Sequence, residues 1–532
     1  MQALLLAAAC SESNQPVATA AEKAPAVGET EHSKPTSGGI PWFDGSVEQA
    51  FAAAKKADKP IFLYWGAEWC PPCHQLKATI FRRDEFIAQS RLFVPVYLDG
   101  DTERAQKYGE QFGVYGYPTV IIFSPAGEEI TRIPGGMDIE QYLSVLELAL
   151  NALRPVSDLL AMVESGEALR DGDWKLLANY SWGQDRGKAL GEREVREVYT
   201  LLAQACPDRL AMEKSQLQML AIDNWARDEE RDVDLAPAYL QQVDAILADD
   251  ALTRSNLGSF IASGGYLVEG LAEGDEQLAL QRRISERLEA AVGDEALDVL
   301  LRLAAIYGWA DVNKALLAEE EQLAQPQQAW VMAQVKAAES ELSSYQQHAA
   351  INTISQLYYE IGREDLARAS LERGMAVSRQ PYYFMSAMGY LEKEAGNNEA
   401  AVNWYRKAWE AARGPATRVQ WGINYLSALL ELSPGDVTAI GATGNTVFAE
   451  LAAQPDGLHH RNIARMDRLG ERLLAWSEAS VEEERAAIPE RQAVVSALRG
   501  EMDKLCEGVS GEGDAAETCA SFLVPQPEEE NG

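Results

Sequence analysis

The chain has 532 residues, 47% of them hydrophobic, and a formal net charge of −35 at pH 7. This length exceeds what one compact core usually holds, so we expect two or more domains, and the apolar content excludes a wholly disordered chain. The acidity argues against a nucleic-acid partner, because binding to phosphates requires clustered Lys and Arg. No run of about 20 apolar residues occurs, so no membrane-spanning helix is expected.

Residues 1–10 are almost purely apolar and end in Ala8-Ala9-Cys10. A short apolar segment closed by small residues and a cysteine resembles a bacterial lipoprotein signal. That resemblance implies lipidation of Cys10 and a lipid anchor on the periplasmic side of the envelope, and Ser11 and Glu12 favour the outer membrane. No Lys or Arg precedes the run, and the run is short for a signal, so an ordinary N-terminus is the alternative. Residues 11–39, rich in Pro, Ala, Ser, Thr, Glu and Gly, predict a disordered tether.

Residues 40–152 alternate short β-like runs with amphipathic helices, which predicts an α/β domain. A capping box at Ser46–Gln49 opens the first helix. The β-branched and aromatic run Ile61–Trp65 predicts a strand, and the segment from Pro71 to Ser90 predicts one helix. The remaining predicted elements are a strand over Leu92–Leu98, a helix over Asp101–Phe112, strands over Thr119–Phe123 and Glu129–Ile133, and a helix from Asp138 to Leu150.

The sequence Trp69-Cys70-Pro71-Pro72-Cys73 lies between the first predicted strand and the next helix. A lone C-x-x-C is a weak signal, but here Gly116-Tyr117-Pro118-Thr119 also precedes a later strand. This combination resembles the thioredoxin family. The domain looks most similar to the periplasmic thioredoxin-like branch that includes the C-terminal domain of the transmembrane thiol–disulfide interchange protein. The resemblance implies an α/β thioredoxin fold that exchanges electrons with protein disulfides and uses no cofactor.

A thiol attacks a disulfide only as the thiolate. Cys70 lies at the start of the predicted helix, where the helix dipole favours an anion, so we expect it to be the nucleophile. Cys73 is then the resolving thiol, and the two form one disulfide when oxidised. In the family, Pro118 is a cis-proline that faces the cysteine pair. The resemblance also implies a substrate groove formed by Trp69, Pro71, Pro72, Tyr117 and Pro118. For Tyr117 the alternative is simple packing in the core.

Two positions depart from the family pattern. Thioredoxins carry a buried Asp and a Lys that help the resolving thiol lose its proton, and the matching positions here are Tyr64 and Pro95. Proton transfer from Cys73 therefore has to use water, Glu68 or His74, or it is slower. We expect the side chains of Glu68 and His74 to be exposed. Because Pro95 cannot donate to a strand ladder, its strand should lie at a sheet edge or meet only a very short strand.

The remaining cysteines suggest different roles. Cys506 and Cys519 lie close together near a Gly-rich C-terminus, and a disulfide between them is our hypothesis for an oxidising compartment. Cys206 lies inside an apolar stretch predicted to be helical and is expected to be a buried small hydrophobe. No metal site is expected, since His459-His460 has no Cys or carboxylate at ligand spacing.

From residue 153 the sequence predicts an all-α region, with helices over 153–345, tetratricopeptide-like repeats and helices over 346–490, and a C-terminal helix and loose tail over 491–532. Gly362 and Ala367 recur as Gly396 and Ala401, a shift of 34 residues, which is the tetratricopeptide period. A generic α-bundle is the alternative. Such repeats commonly offer a concave surface to a protein or peptide partner.

Together these features predict a lipid-anchored, periplasm-facing thiol–disulfide oxidoreductase, either a reductase or an isomerase of protein disulfides, that uses Cys70 and Cys73. A reductase there would draw electrons from a membrane thiol–disulfide donor. The alternative function is an envelope scaffold or assembly lipoprotein in which the repeats bind the partner and the thioredoxin fold is a docking module. A cytosolic thioredoxin with a repeat tail follows only if the N-terminal signal is dismissed.

Overall fold

The computed structural model describes residues 39–524 except 68, 69, 101, 115, 135–138, 152, 153, 184, 186, 319, 320, 379, 455, 456, 459, 479–487, 508 and 510–513. The predicted lipidation at Cys10, the tether, and the roles of Glu68 and Trp69 lie outside these residues. The described helices include none that is both long and apolar enough to cross a membrane.

The N-terminal part is a small sheet surrounded by helices. Its elements in chain order are α1 (Val47–Ala57), β1 (Ile61–Gly66), α2 (Pro71–Thr79), α3 (Asp84–Gln89), β2 (Val94–Asp99), α4 (Glu103–Phe112), β3 (Thr119–Phe123), β4 (Glu129–Ile133) and α5 (Ile139–Leu150). The strand order is β2-β1-β3-β4, with β3 antiparallel to both β1 and β4.

Several local predictions are confirmed. The Ser46 hydroxyl accepts from the backbone N–H of Gln49, whose side chain accepts from the backbone N–H of Ser46, so the capping box is formed. The hairpin strands β3 and β4 have the predicted bounds. The strand that contains Pro95 lies at the edge of the sheet, as its missing N–H requires.

The single helix predicted from Pro71 to Ser90 is wrong. The structure ends α2 at Thr79 and begins α3 at Asp84, after an extended residue at Arg83. In one continuous helix, Phe81 and Phe86 would point about 140° apart, since each residue turns the helix by about 100°. The break instead brings both rings into the core, where they stack with their centroids 4.9 Å apart.

The core of the sheet continues into the helices that follow it. One buried cluster runs from Phe62 and Tyr142 to Leu160 and Leu217, well beyond residue 152. The backbone N–H of Ser181 also donates to the carbonyl of Arg132 on β4, at 3.1 Å. Our boundary at residue 152 remains a proposal, and the sheet and the next helices share one core.

The rest of the described chain is helical. The helices are α6 (Val156–Glu164), α7 (Asp171–Ala178), α8 (Val195–Ala205), α9 (Ala211–Ala226), α10 (Ala236–Leu247), α11 (Asp250–Ser255), α12 (Leu257–Leu271), α13 (Gly274–Val292), α14 (Val299–Lys314), α15 (Gln325–Glu341), α16 (Ser344–Glu360), α17 (Glu364–Val377), α18 (Tyr382–Glu394), α19 (Asn398–Ala411), α20 (Pro415–Leu432), α21 (Val437–Ala452), α22 (His460–Glu478), α23 (Ile488–Leu505) and α24 (Asp514–Ser521), with a short 3₁₀ turn at Val233–Leu235.

Contacts divide the chain into two compact units. One comprises residues 36–98 and 116–370, and the other includes residues 99–115 and 371–532. The second unit has its own core, in which Leu426, Phe448, Leu473 and Leu498 are buried. Because α4 is counted with the second unit, each unit is discontinuous in sequence.

Two helical hairpins share a turn geometry at the predicted period. Gly362 follows α16 with φ = 69°, and Gly396 follows α18 with φ = 76°. This left-handed conformation suits glycine, which has no Cβ to clash with the backbone. Ala367 and Ala401, one turn into the second helix of each hairpin, are both fully buried. The matching turns support a tetratricopeptide-like repeat, which stays a proposal.

Candidate active site

The sheet register brings two loops together at one end of β1. Trp65 pairs with Thr119, so the loop that leaves β1 toward the cysteines begins beside the residues that enter β3. The Tyr117–Pro118 peptide bond in that second loop is cis, and Pro118 is buried while Tyr117 is half-buried. The Thr119 hydroxyl donates to the carbonyl of Gly116, at 2.8 Å, and closes the loop.

Cys70 is the N-cap of α2. Its sulfur accepts from the backbone N–H of Cys73, at 3.2 Å, and its carbonyl accepts from the N–H of His74, at 3.1 Å. Pro71 occupies the first helical position, where an N–H would have no intrahelical acceptor. A disulfide joins Cys70 and Cys73, whose Cα atoms are 5.2 Å apart. In the reduced chain, the same N–H and the positive end of the helix dipole would stabilise a Cys70 thiolate.

Both cysteines are poorly exposed. Cys70 is 2% exposed and Cys73 is fully buried, whereas Pro72 between them is exposed. The sulfur of Cys73 therefore meets other partners only through Cys70, which suits a resolving thiol. The small exposed fraction of Cys70 means that the surroundings of α2 control which disulfides can reach it.

Tyr64, at the position of the family's buried Asp, is part of an aromatic cluster under α2. Its ring lies 4.9 Å from Phe81 in a T-shaped contact and 5.5 Å from Tyr97 in a stacked one, centroid to centroid. Trp42 lies 6.1 Å away on the same cluster. A Cβ at residue 66 would overlap the Tyr64 hydroxyl, so the tyrosine dictates glycine at the end of β1. The acid of the family is therefore replaced by a packed aromatic core.

Lys77 is a residue that sequence reasoning missed. It is only 4% exposed, and its Nζ lies 5.6 Å from the centroid of the Tyr97 ring, within cation–π range. It follows Cys73 by four residues, which places both on one face of α2. That spacing was visible in the sequence and could have identified it. The structure thus places a cationic side chain on the cysteine face of the helix, although the family's Lys position holds Pro95.

A helix from the predicted all-α region packs against α2, the helix that begins at the cysteine pair. Helix α16 contacts α2, and the rings of His74 and His348 meet edge to face with their centroids 4.6 Å apart. Both histidines are half-buried. The prediction that His74 is exposed is therefore wrong, because its partner comes from a helix far along the chain. No local pattern in the sequence predicts a contact between two helices so far apart along the chain.

The other cysteines have separate environments. Cys206 is free and buried, and burial, with a smaller contribution from Glu213, raises the pKa of its thiol to about 11. The thiol is therefore protonated and inert at neutral pH. A disulfide joins Cys506 at the end of α23 to Cys519 in α24, with Cα atoms 5.8 Å apart. Among the described residues, no three His, Cys, Asp or Glu side chains are arranged to hold a metal ion.

Residues 47–150 match a family model described as a thioredoxin-like domain. This segment is a thioredoxin-like domain. The thiol:disulfide interchange protein DsbD of Yersinia pestis is 31% identical over 98 residues, which are 18% of this chain and 16% of that protein. Thioredoxin H4 of Arabidopsis thaliana is 32% identical over 82 residues, which are 15% of this chain and 65% of that protein.

A solved structure titled DsbH oxidoreductase also matches, with 22% identity and a TM-score of 0.20, over 24% of this chain and 97% of that one. The chain spans about a sixth of the length of the interchange proteins it resembles. The predicted fold class, a thioredoxin fold followed by an all-α region, is confirmed. The chemically reactive group of this candidate site is the Cys70–Cys73 pair of the thioredoxin-like domain.

Proposed function

We propose that this chain is a thiol–disulfide oxidoreductase that reduces or isomerises protein disulfides through Cys70 and Cys73. The observation that carries the proposal is the disulfide at the N-terminus of α2, inside a thioredoxin-like domain and beside the cis-Pro118 loop. The groove that we assign to Pro71, Pro72 and Tyr117 would lie beside this pair and hold the substrate strand. Trp69 completes that groove in the family pattern.

In the reduced chain, the Cys70 thiolate attacks one sulfur of a substrate disulfide, forming a mixed disulfide and releasing one substrate thiolate. Cys73 then loses its proton and attacks the Cys70 sulfur, which releases the second substrate thiolate and forms the Cys70–Cys73 disulfide. Two electrons pass from the dithiol to the substrate, and the two thiol protons end on the substrate sulfurs. The Lys77 ammonium, on the Cys73 face of α2, would favour the Cys73 thiolate in the second step.

Each reductive turnover leaves the chain oxidised, so reduction requires an external dithiol, whereas isomerisation returns the cysteine pair to its reduced form. Similarity to the thiol:disulfide interchange proteins supports a membrane thiol–disulfide donor and work on the periplasmic side of a bacterial envelope. Lipidation of Cys10, with residues 11–39 as the tether, would hold the chain at a membrane, where we favour the outer one. The helical repeats would bind a protein or peptide partner.

Reduction of insulin by the full chain, supplied with dithiothreitol, tests the proposal through the turbidity of the released B chain. We expect Cys70→Ser to abolish the acceleration and Cys73→Ser to accumulate mixed disulfides with insulin. Cys206→Ala removes a buried thiol outside the site and is the matched control, with activity close to that of the wild type. Equal activity in the wild type and Cys70→Ser would end the oxidoreductase proposal.

The 2% exposure of Cys70 favours a second candidate, an envelope scaffold in which the repeats bind the partner and the thioredoxin-like domain only docks. The trapping variant separates the two. If Cys73→Ser forms no mixed disulfide while the helical region still captures a partner protein, the scaffold is correct. Mixed disulfides that form at Cys70 exclude it.

A further inference from the structure

A cavity of about 520 Å³ lies beside α2, within the unit of residues 36–98 and 116–370. Gln75 of α2 and Gln141 of α5 line one wall, and residues from α9, α12 and α14 and from the segment after α7 line the others. Gln75 follows Cys70 by five residues, about 7.5 Å along a helix axis. The cavity is therefore close to the cysteine pair and has the size of ligand pockets, about 300–1,000 Å³.

Carboxamides organise the polar part of this cavity. The Gln141 side chain donates to the Asn179 side-chain oxygen at 2.8 Å, and the Gln216 side chain donates to the same oxygen at 3.2 Å. Asn179 donates in turn to the carbonyl of Lys175, at 2.9 Å. Asn179 also donates to the Gln216 side-chain oxygen, at 3.4 Å. Each carboxamide offers two N–H donors and an oxygen with two lone pairs, so Gln216 keeps one donor and one lone pair beyond these bonds.

A polypeptide backbone carries one N–H donor and one carbonyl acceptor per residue. Carboxamide side chains in the cavity wall can form hydrogen bonds with both backbone groups, whatever side chains the bound polypeptide carries. The apolar lining accommodates side chains; it includes Leu220, Leu257, Ile261, Leu297 and Leu301. This combination of backbone-type polar partners and apolar surface fits an extended peptide segment.

The charges in the cavity disfavour an anionic small disulfide. Asp223 lines the wall and is paired with Arg227 at 3.3 Å, and the Arg254 guanidinium is bonded to Asp294 at 2.6 Å. A ligand such as glutathione disulfide, with several carboxylates, would therefore meet one carboxylate and an arginine that already has an anionic partner. The net charge of −35 adds to this repulsion. A neutral or basic polypeptide meets neither obstacle.

We propose that this cavity binds the extended polypeptide segment that flanks the disulfide of a protein substrate. The identity of the bound chain as a substrate rests on the proposed oxidoreductase function. The thioredoxin-like domain supplies the cysteines, and the helical region supplies most of the peptide site. The enzyme thereby prefers disulfides in unfolded or extended chains to compact small disulfides.

A plug at Gly258 tests the site. This exposed glycine of α12 lines the cavity, and a Cβ built on it would meet nothing within 4 Å. The variant Gly258→Trp should obstruct part of the cavity without disturbing the helix, and Gly258→Ala adds only a methyl group. Gly500 in α23 is also open at its Cβ and is outside the lining, so Gly500→Trp is the control for an added indole. Gln216→Leu removes a carboxamide at nearly constant shape.

The first readout is binding of fluorescein-labelled insulin B chain with alkylated cysteines, followed by fluorescence anisotropy. This probe cannot exchange disulfides, so binding is measured apart from the chemistry. We expect saturable binding to the full chain, weakened about tenfold or more by Gly258→Trp, less by Gln216→Leu and least by Gly258→Ala, and unchanged in Gly500→Trp. No saturable binding to the wild type, or equal binding to Gly258→Trp, overturns the proposal.

The second readout compares reduction of insulin with reduction of 5,5′-dithiobis(2-nitrobenzoate). Gly258→Trp should lower kcat/KM about tenfold for insulin and leave the small disulfide within about twofold. An equal loss for both would show that the plug acts on the cysteine pair, and the peptide site would fall. If the wild type binds the alkylated B chain but reduces neither disulfide, the oxidoreductase function fails while the peptide site stands.

Discussion

A charge cluster lies where the sheet meets the helical region: Glu129 and Arg132 of β4 form an ion pair, and Lys188 of the segment after α7 bonds to the same carboxylate. The Arg132 guanidinium is 0% exposed and bonds to Glu129 from two nitrogens, at 2.7 and 3.3 Å. Glu129, whose side chain is 17% exposed, also accepts from Lys188 at 2.5 Å. Strand β4 is thereby linked to the segment after α7 through side chains as well as through the Ser181–Arg132 backbone bond.

The variant Arg132→Met leaves the Glu129 carboxylate with Lys188 as its remaining cation. Loss of one partner of a buried ion pair destabilises a protein by about 3–5 kcal/mol. Because Glu129 keeps Lys188 and some solvent, we expect the low end, about 3 kcal/mol. The control is Arg209→Ala, since the side chains of Arg209 and Asp171 are 59% and 61% exposed and such a pair contributes less than about 1 kcal/mol.

Urea unfolding followed by circular dichroism gives the overall change. Hydrogen exchange of the β4 amides gives the local change, which is needed because two compact units can unfold separately. We expect faster exchange in β4 and a lower urea midpoint for Arg132→Met only. If Arg132→Met destabilises the chain no more than Arg209→Ala does, the buried ion pair does not stabilise β4.

The cluster of Glu129, Arg132 and Lys188 also makes the stability of the fold depend on pH. Burial disfavours the ionised Glu129 carboxyl, but hydrogen bonds and charge from Arg132 and Lys188 outweigh burial and lower its pKa. A carboxyl with a lowered folded-state pKa stabilises the fold above its unfolded value of about 4.3, and this stability is lost as the pH falls further. Wild type should therefore lose more stability than Glu129→Gln between about pH 5 and pH 3. Parallel curves for the two proteins would contradict this assignment.

Two other changes address the cysteines. Lys77→Met should lengthen the life of the mixed disulfide about tenfold, because the ammonium no longer favours the Cys73 thiolate, whereas Lys77→Arg should retain most of the rate. Quenched-flow trapping measures both, and equal rates in Lys77→Met and the wild type would contradict the role. Cys506→Ser opens a loop closed across a separation of 13 residues and should lower the unfolding free energy by about 3 kcal/mol. An unchanged urea midpoint under non-reducing conditions would contradict that estimate.

Elements with local causes could be predicted from the sequence. The Ser46 capping box, the β3–β4 hairpin and the edge position of the strand holding Pro95 each depend on residues within a few positions of one another. The break between α2 and α3 could not be predicted in this way. It exists because Phe81 and Phe86 both enter one core, and that demand comes from tertiary packing.

In the candidate site, too, the features with local causes could be predicted from the sequence and those that depend on tertiary packing could not. The cysteine pair and the cis-Pro118 loop follow from motifs on either side of two strands that the register pairs. The position of Lys77 could have been predicted, since its spacing of four from Cys73 places it on the same helix face. The contact between His74 and His348 could not have been predicted, because the periodicity of a helix does not identify the distant helix that packs against it.

The burial of Cys70 supports the role in substrate selection that we propose for the helical region. A thiolate must meet the substrate sulfur directly, yet Cys70 is 2% exposed in this structure. Helix α16 packs on α2 through His348 and His74, and the cavity opens beside Gln75 on that helix. On our proposal, a substrate therefore reaches Cys70 past surfaces of the helical region that a lone thioredoxin-like domain does not have. A disulfide that first engages the peptide site would be held beside α2, so selection of the substrate would precede attack by the thiol.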